Sequence, residues 1–437
     1  DEFDFSHGIQ VTSGALTVNS GGSGNGLLKI NGATGSTEAI IFQRGGTEAS
    51  RISHSNSADL VFSIGSSVTD AFKIASDGSL STPTSGTSNV RFGVNAGNSI
   101  TSGGNYNVLI GDEAGTAITT GDENTAVGYT ALDALDTGQY NVAIGKAALG
   151  ADTKGNQSVA VGANALQTQN FSSSTNSLNT AVGYYAGQSV TTGVSNTLIG
   201  GLAGDALTDA DYNVAVGFSA LSTSALGSRS TAIGHEALKF ENPDSATNMH
   251  NTAVGFNTGT SVTTGVQNTL LGALAGDALT TSTRNTVLGY TALGSETVGQ
   301  YNTAVGYAAL ALQNNTGGGN IYNTAVGYNA GAQVTTGTSN TLVGGLAGDA
   351  ITTGVSNTVL GYNALSNETT GDQSTAIGQS ALRDQNNSSN VNANNTAVGY
   401  HAGLSVTTGT QNTLIGAQTG DALTEGNNNV SLGYESL

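Results

Sequence analysis

The apolar residues of this chain recur in short, regular units separated by Gly, Asn, Ser and Thr. The segment "NTAVGYNAGAQVTTG" begins at Asn323, and similar segments begin at Asn340 and Asn357, each 17 residues after the last. Such a unit is too short for a pair of helices and has no apolar stripe with a helical period. Its "TAVG" core is typical of a short strand that ends at a glycine. The pattern predicts that each unit forms one coil of a parallel β-solenoid.

The glycine that closes each "TAVG"-like segment, called here the marker glycine, fixes the register of these units. Twenty marker glycines run from Gly93 to Gly433. Their spacing is 17 residues, apart from an opening 18 and four spacings of 21 that recur with a period of 72. We therefore predict about twenty coils in a repetitive parallel β-roll over residues 86–437. From Gly183 onward the units cycle through four kinds in each 72-residue super-repeat, and the first cycle, from Gly93, contains one additional unit.

The four longer units contain extended loops whose sequences differ from one another. Surface loops on a rigid scaffold often carry binding contacts, and the simpler interpretation is a solvated bulge between coils. The loops fall at Gln167–Leu178, Lys239–His250, Ala311–Tyr322 and Arg383–Asn394.

Residues 1–85 have a different pattern. Segments such as "GALTVNS", "GLLKING", "EAIIFQRGG" and "ADLVFSIGS" alternate like short strands between Gly, Ser and Asn turns. We predict a β-rich N-terminal shaft segment over this range. Because the chain begins at Asp1 and stops within a repeat cycle at "NVSLGYESL", we also expect further residues at both ends.

The turn residues of the unit suggest how successive coils are joined. Four residues before the marker glycine stands Asn in seventeen units and Ser in three. Asn tolerates left-handed geometry, and stacked Asn side chains can hydrogen-bond along a ladder. We predict a structural turn ladder, with a ligand contact as the alternative role. Representative members of this ladder are Asn196, Asn268, Asn340 and Asn412.

Two further features of the unit lead to expectations about its backbone. The "VTT" or "LTT" segment before a later glycine reads as a second strand. That glycine stands ten residues after the marker glycine, where a turn would require positive φ. The glycines in this position include Gly193, Gly265, Gly337 and Gly409.

Both faces of the "TAVG" strand are apolar, which bears on assembly. Adjacent Ala and Val side chains point to opposite faces of a strand. One face can line the coil interior, and the other can meet a neighbouring chain. We infer a coaxial homo-oligomer.

Charge and composition exclude several function classes. Only 9% of the residues are charged, and 30 acidic against 11 basic residues give a net charge of −19. This balance argues against nucleic acid and anionic membranes as partners. No apolar run approaches the length of a membrane helix, so we expect no membrane insertion.

The units "NTAVGY", "STAIG" and "SVAVGANAL" resemble the "SVAIG"-type head repeats of trimeric autotransporter adhesins, and they equally resemble repeats of bacteriophage tail fibres. The resemblance covers about residues 86–437 and implies a homotrimer of left-handed parallel β-rolls. "RISHSNSADLVFSI" and "KIASDGSLS" resemble shaft segments of phage tail fibres, which favours the viral interpretation.

The resemblance implies an extracellular tail fibre of a virion that presents host-receptor-binding parts for adsorption to a bacterial cell. Its expected partners are a host cell-surface glycan or protein receptor and other virion tail or baseplate proteins. The alternative is the head of a bacterial trimeric surface adhesin.

The sequence contains no recognisable catalytic machinery. There is no nucleophile elbow or phosphate-binding loop, and His7, His54, His235, His250 and His401 lack metal-ligand spacing. We predict no catalytic residue, no cofactor and no enzymatic activity. A polysaccharide depolymerase would require clustered acids, which the sequence does not show. An ice-binding surface would require continuous Thr rows, which the third and fourth kinds of unit interrupt.

Two sets of residues are candidates for contact with ions or receptors. The "GGLAGDAL"-like segments resemble a calcium-binding nonapeptide, and their Asp residues are weak metal candidates, with a turn cap as the alternative. Tyr residues after marker glycines could stack on sugar rings, with packing at a coil corner as the alternative. The Asp residues are Asp205, Asp277, Asp349 and Asp421, and the Tyr candidates are Tyr184, Tyr328 and Tyr400.

Overall fold

The computed structural model describes residues 38–44, 47–54, 59–64, 69–74, 80–81, 85–387 and 389–437. The chain divides into two compact units, Asp1–Thr84 and Ser85–Leu437. Throughout these described residues the regular elements are β-strands and turns. The expected strands at "GALTVNS" and "GLLKING", and His7, lie outside the described residues.

The first unit contains a five-stranded antiparallel sheet in which each strand pairs with the next. The rings of Phe62 and Phe72 lie on facing strands with their centroids 5.8 Å apart. Lys73 Nζ lies 2.5 Å from a carboxylate oxygen of Asp59. The strands are β1 (Glu38–Arg44), β2 (Thr47–His54), β3 (Leu60–Ile64), β4 (Thr69–Ile74) and β5 (Leu80–Ser81).

The second unit is a stack of twenty three-residue strands, each ending directly before a marker glycine. Neighbouring strands pair in parallel and in register, as in the pairs Thr324↔Thr341 and Val326↔Val343. The pairing runs from the first strand of the stack to the last, and these two strands do not pair with each other, so the stack is open. The structure thus confirms the predicted all-β parallel solenoid of about twenty coils.

The strands of the stack are β6 (Val90–Phe92), β7 (Val108–Ile110), β8 (Thr125–Val127), β9 (Val142–Ile144), β11 (Val159–Val161), β13 (Thr180–Val182), β14 (Thr197–Ile199), β15 (Val214–Val216), β17 (Thr231–Ile233), β19 (Thr252–Val254), β20 (Thr269–Leu271), β21 (Thr286–Leu288), β23 (Thr303–Val305), β25 (Thr324–Val326), β26 (Thr341–Val343), β27 (Thr358–Leu360), β28 (Thr375–Ile377), β29 (Thr396–Val398), β30 (Thr413–Ile415) and β31 (Val430–Leu432). The remaining short strands are β10 (Gly155–Asn156), β12 (Thr175–Asn176), β16 (Gly227–Ser228), β18 (Thr247–Asn248), β22 (Gly299–Gln300) and β24 (Gly319–Asn320).

The marker glycines let consecutive coils approach at the end of each strand. Their φ angles lie between 126° and 147°, a region that side chains rarely allow. At Gly327, an added Cβ atom would lie 2.4 Å from the carbonyl oxygen of Gly344 in the next coil. Both conditions require glycine, and this explains why the marker recurs in every unit.

The 72-residue super-repeat arises from side chains that interlock between coils. Four residues after the marker glycine, the first and second kinds of unit have Gly, whereas the third and fourth have Leu. In the first kind of unit, leucines of the preceding and following coils fill the space beside this glycine, whereas in the second kind the apolar side chains around it belong to its own coil. At Gly331, an added Cβ atom would lie 2.5 Å from Cδ1 of Leu342 and 3.1 Å from Cδ2 of Leu310. The order of the units therefore affects how the side chains of neighbouring coils pack in the interior.

Two expectations about the backbone were wrong. The "VTT" and "LTT" segments form bends and not strands. Such a segment makes isolated hydrogen bonds to the next coil before the chain turns, as from Thr335 N–H to the Thr352 carbonyl (2.8 Å). The glycines ten residues after the marker have φ angles outside the left-handed region. They are needed for close approach instead, since a Cβ atom on Gly337 would lie 2.4 Å from the carbonyl oxygen of Gly354.

Left-handed geometry also falls on a different residue from the one expected. The residue before each ladder position adopts positive φ, as Ser339 does (58°) before Asn340. The ladder residue itself has a side chain that points into the coil interior, where Asn340 is buried.

The extended loops are ordered against the coil that precedes them, so they are more than solvated bulges. Three of them contain a short strand that pairs in parallel with the previous coil, namely β12 with β10, β18 with β16, and β24 with β22. In the fourth loop, Asn392 makes an isolated parallel bridge with Asp372.

Candidate functional surfaces of the solenoid

A ladder of buried amides runs through the coil interior at the position four residues before each marker glycine. The Asn340 backbone N–H donates to Oδ1 of Asn323 (2.8 Å), and the Asn340 side-chain amide donates to the carbonyl of Gly354 (2.8 Å). Asn196, Asn268 and Asn412 make equivalent bonds and are also buried. Because donors and acceptors are used between coils, these amides hold the stack together and face no ligand.

A second interior row, seven residues after the marker glycine, alternates between apolar and polar layers. The first and second kinds of unit place Val, Leu or Ile there, whereas the third and fourth place polar residues that are almost fully buried. Each super-repeat contributes one carboxyl group and one neutral partner to this layer. The pairs are Asp152 with Gln169, Ser224 with Glu241, Glu296 with Gln313, and Glu368 with Gln385. Sequence reasoning missed this layer, although its 72-residue period was present.

The carboxylate of Glu368 joins its own turn to an extended loop. Oε1 of Glu368 accepts hydrogen bonds from the backbone N–H groups of Thr369, Thr370 and Gly371 at 2.9, 3.0 and 2.7 Å. Its Oε2 accepts from the side-chain amides of Gln385 (2.8 Å) and Asn387 (2.9 Å). These donors compensate for burial of the carboxylate, and they tie the loop to the preceding coil.

The other loops repeat this arrangement with one exception. Glu296 accepts from its own turn and from Gln313 and Asn315. Asp152 accepts from the backbone of its turn and from Gln169 (2.6 Å). Burial raises the pKa of Asp152, and the hydrogen bond from Gln169 partly opposes this rise.

The exception is the second super-repeat, where the carboxyl group lies in the fourth kind of unit, one coil later than in the other super-repeats. Pro243 stands where the other three loops have Phe171, Asn315 or Asn387, and proline has no backbone N–H to donate. The acid is therefore Glu241, which accepts from Ser230 Oγ (2.8 Å) and Asn251 Nδ2 (2.8 Å). Ser224 takes the former acid position, and its buried Oγ has no hydrogen-bond partner. Burial raises the pKa of Glu241 to about 7.

The candidate metal residues lie in separate coils. Burial raises the pKa of Asp205, Asp277 and Asp349, and one carboxylate oxygen each of Asp205 and Asp349 is buried without a partner. Asp421 continues this row. Consecutive members are four coils apart, about 19 Å, so two of them cannot share an ion within one chain. Across the described residues, His, Asp and Glu form no group of three or more suited to a metal ion.

A fifth member of this row was missed. Asp133 lies 72 residues before Asp205, but it stands in "ALDALDTG" instead of a "GDAL" segment. It lines an open groove of about 320 Å³ together with Thr130, Gly150 and Gln167. Burial raises the pKa of Asp133 as well. The period alone would have identified this residue.

The residues directly after the marker glycines form a row on the surface, called here the aromatic row. Tyr290, Tyr307 and Tyr328 stack with ring centroids 5.6 and 5.4 Å apart and interplanar angles of 18° and 16°. The spacing follows from the small rise between coils, which brings equivalent side chains into contact.

The other predicted contact residues belong to the same row. Tyr184 and Tyr400 are exposed like Tyr328, and each contacts the ring that follows it in sequence, Tyr185 and His401. A second three-ring stack contains His235 between two phenylalanines, with the centroids 5.5 and 5.3 Å apart. The phenylalanines are Phe218 and Phe256.

No protein-family model matches this chain, and neither a curated protein nor a solved structure does. Within the part of the chain that the structure describes, no helix has the length and apolar character needed to span a membrane.

Proposed function

We propose that this protein is a structural tail-fibre protein of a virion, which extends and presents host-receptor-binding parts for adsorption to a bacterial cell. Three copies associate along their length into a rod that acts outside the cell. Twenty coils at the usual strand spacing give this rod a length of about 95 Å. In-register hydrogen bonds between successive coils make such a rod stiff.

The observation that carries the proposal is a continuous apolar row on the outside of the solenoid. The residue before every marker glycine is Phe, Val, Ile or Leu, from Phe92 to Leu432. Ile199, Leu271 and Leu288 in this outward row are exposed by 40%, 44% and 40%. Soluble monomers rarely leave a contiguous apolar surface of this length in water. A second and a third copy in the same register would cover it with an equally long apolar surface.

The mass of the native assembly tests this proposal. We expect a species of three times 43.3 kDa for the purified chain. The variant Ile199→Asp/Leu271→Asp/Leu288→Asp should dissociate, because each charge would be buried between chains. Leu312→Asp, which alters an apolar residue of similar exposure in an extended loop, should leave the mass unchanged. A monomeric wild-type chain would contradict the fibre proposal.

A second measurement distinguishes the virion fibre from the alternative, a bacterial trimeric surface adhesin built from the same kind of coils. Antibodies raised against the purified chain should label the tails of virus particles in electron micrographs of the source culture. Labelling of the cell envelope in cultures free of virus particles would favour the adhesin.

A further inference from the structure

The aromatic row is interrupted at regular intervals by one small residue. In the last four super-repeats, the second kind of unit has Gly or Ala where its neighbours carry rings. Each interruption leaves two rings that are separated by two coils instead of one. The small residues are Gly201, Ala273, Gly345 and Ala417, and the flanking rings are Tyr184 and Phe218, Phe256 and Tyr290, Tyr328 and Tyr362, and Tyr400 and Tyr434.

Four of the eight flanking rings, namely Phe218, Phe256, Tyr290 and Tyr328, stack on a ring of the adjacent coil on the side away from the gap. Around Ala273, Phe256 stacks on His235 (5.3 Å) and Tyr290 stacks on Tyr307 (5.6 Å). Around Gly345, Tyr328 stacks on Tyr307 (5.4 Å). In each case the ring face that points away from the stack is turned toward the gap. These rings are fixed before any ligand arrives, which lowers the entropic cost of binding.

The gap has room for one ring. Two coils separate the flanking rings by about 9.6 Å, which leaves about 4.8 Å on each side of a ring placed midway. Flat rings prefer contacts of about 3.5–4.0 Å, so a flat guest would fit loosely. A puckered ring with hydrogens on both faces fills the space better. Near the backbone the gap is narrower, because Cδ2 of Tyr362 would lie 3.5 Å from a Cβ atom on Gly345.

We propose that these gaps bind pyranose rings of a neutral cell-surface glycan. A pyranose offers apolar C–H faces to the two aromatic walls, and its hydroxyls remain in water or reach the phenol groups of Tyr328 and Tyr362. The net charge of −19 disfavours phosphorylated or acidic glycans. Successive gaps are four coils apart, about 19 Å, so a polymer running along the rod engages several at once. This inference rests on the proposed role in adsorption and names its ligand class.

The test fills the gaps with the side chain that the row already uses. The variant Gly201→Tyr/Ala273→Tyr/Gly345→Tyr/Ala417→Tyr completes the stacks, whereas Lys146→Tyr adds a ring between Tyr129 and Ala163, where no second ring faces it. The probes are immobilised neutral oligosaccharides of glucose, galactose, mannose and N-acetylglucosamine. We expect wild-type protein to bind at least one probe, the filled variant to bind about tenfold more weakly or worse, and Lys146→Tyr to bind like wild type.

A second pair of variants removes an aromatic ring from the row without filling the gap. Tyr328→Gln introduces the residue found in the row at Gln379, and Tyr129→Gln does the same beside no gap. Only Tyr328→Gln should weaken binding. Absence of binding to every probe, or equal binding by the filled variant, would overturn the inference.

The inference and the proposed function fail in distinguishable ways. A change in assembly mass on filling the gaps would show that another subunit occupies them, which also overturns the glycan site. A wild-type trimer that binds no glycan would remove the site and leave the fibre. A wild-type monomer would remove the fibre itself.

Discussion

At the residue scale, each buried carboxyl group lies where hydrogen-bond donors are available to it. Glu296 and Glu368 occupy positions where backbone and amide donors converge, and the acid shifts to Glu241 where Pro243 removes one of these donors. In this interior layer each of these super-repeats keeps a single carboxyl group. A second carboxylate one coil away would repel the first, because the interior screens charge poorly.

Glu241 should make stability depend on pH. Its pKa of about 7 in the folded chain exceeds the ordinary 4.5, so the folded state binds more protons between these values. The free energy of unfolding therefore falls by about 3 kcal/mol as pH rises from about 4.5 to about 7, and then levels off. Glu241→Gln should abolish this fall, measured by denaturant unfolding at pH 5 and pH 8.

The control for this prediction is Glu123→Gln, which alters an exposed acid of another coil and should keep the wild-type pH dependence. If Glu241→Gln lost stability between pH 5 and pH 8 as wild type does, the carboxyl of Glu241 would not be the group that titrates.

Gly331 should be intolerant of even one added methyl group. Its φ angle is 57°, and the space around its Cα is filled by Leu342 and Leu310. Gly331→Ala should lower the free energy of unfolding by about 1–3 kcal/mol through strain and overpacking. Gly317→Ala, at a loop glycine with no atom near the added Cβ, is the matched control and should be neutral. Equal effects in a denaturant titration would contradict the interlocking described here.

At the element scale, the coil could be predicted from sequence because its determinants are local and repeated. The marker glycine and the outward Val or Ile of "TAVG" fix the strand and its register. Left-handed φ at residues such as Leu310 could not be predicted, since leucine avoids this region unless contacts with adjacent coils impose it. The polar layer was also hidden, because an acid such as Glu368 is ordinarily expected in water.

The hydrogen bonds that join an extended loop to the preceding coil can be introduced into the second super-repeat by substitution. The variant Ser224→Glu/Glu241→Gln/Pro243→Asn rebuilds in the second loop the arrangement around Glu368 and Glu296. We expect it to unfold at higher denaturant concentration than wild type at pH 8, because the carboxylate regains its donors. The double variant that keeps Pro243 lacks those donors and should gain less. Equal stability of the two variants would show that the loop Asn does not hold the carboxylate.

At the scale of the whole molecule, the super-repeat acts as the unit of length. Because the four kinds of unit differ in their interior side chains, a deletion that removes a complete set leaves every remaining contact between coils of the same kinds as before. The register at both ends of the solenoid then remains the same, and the rod changes in length alone.

Deletion of residues 256–327, one complete 72-residue super-repeat, should give a folded protein whose rod is about 19 Å shorter in electron micrographs. Deletion of residues 256–319, which removes eight fewer residues, should fail to yield soluble assembly. Comparable yields from both deletions would show that the stack does not require marker glycines at a whole-coil spacing.

The open stack has a mechanical consequence. The hydrogen bonds between coils run parallel to the solenoid axis, while the covalent chain winds around that axis. A solenoid pulled from one end would therefore unfold one coil at a time. Each unfolded coil of 17 residues would add about 50 Å to the length of the extended chain. If the solenoid tethers a virus particle as proposed, this stepwise release of coils would lengthen the tether under flow before the attachment itself had to break.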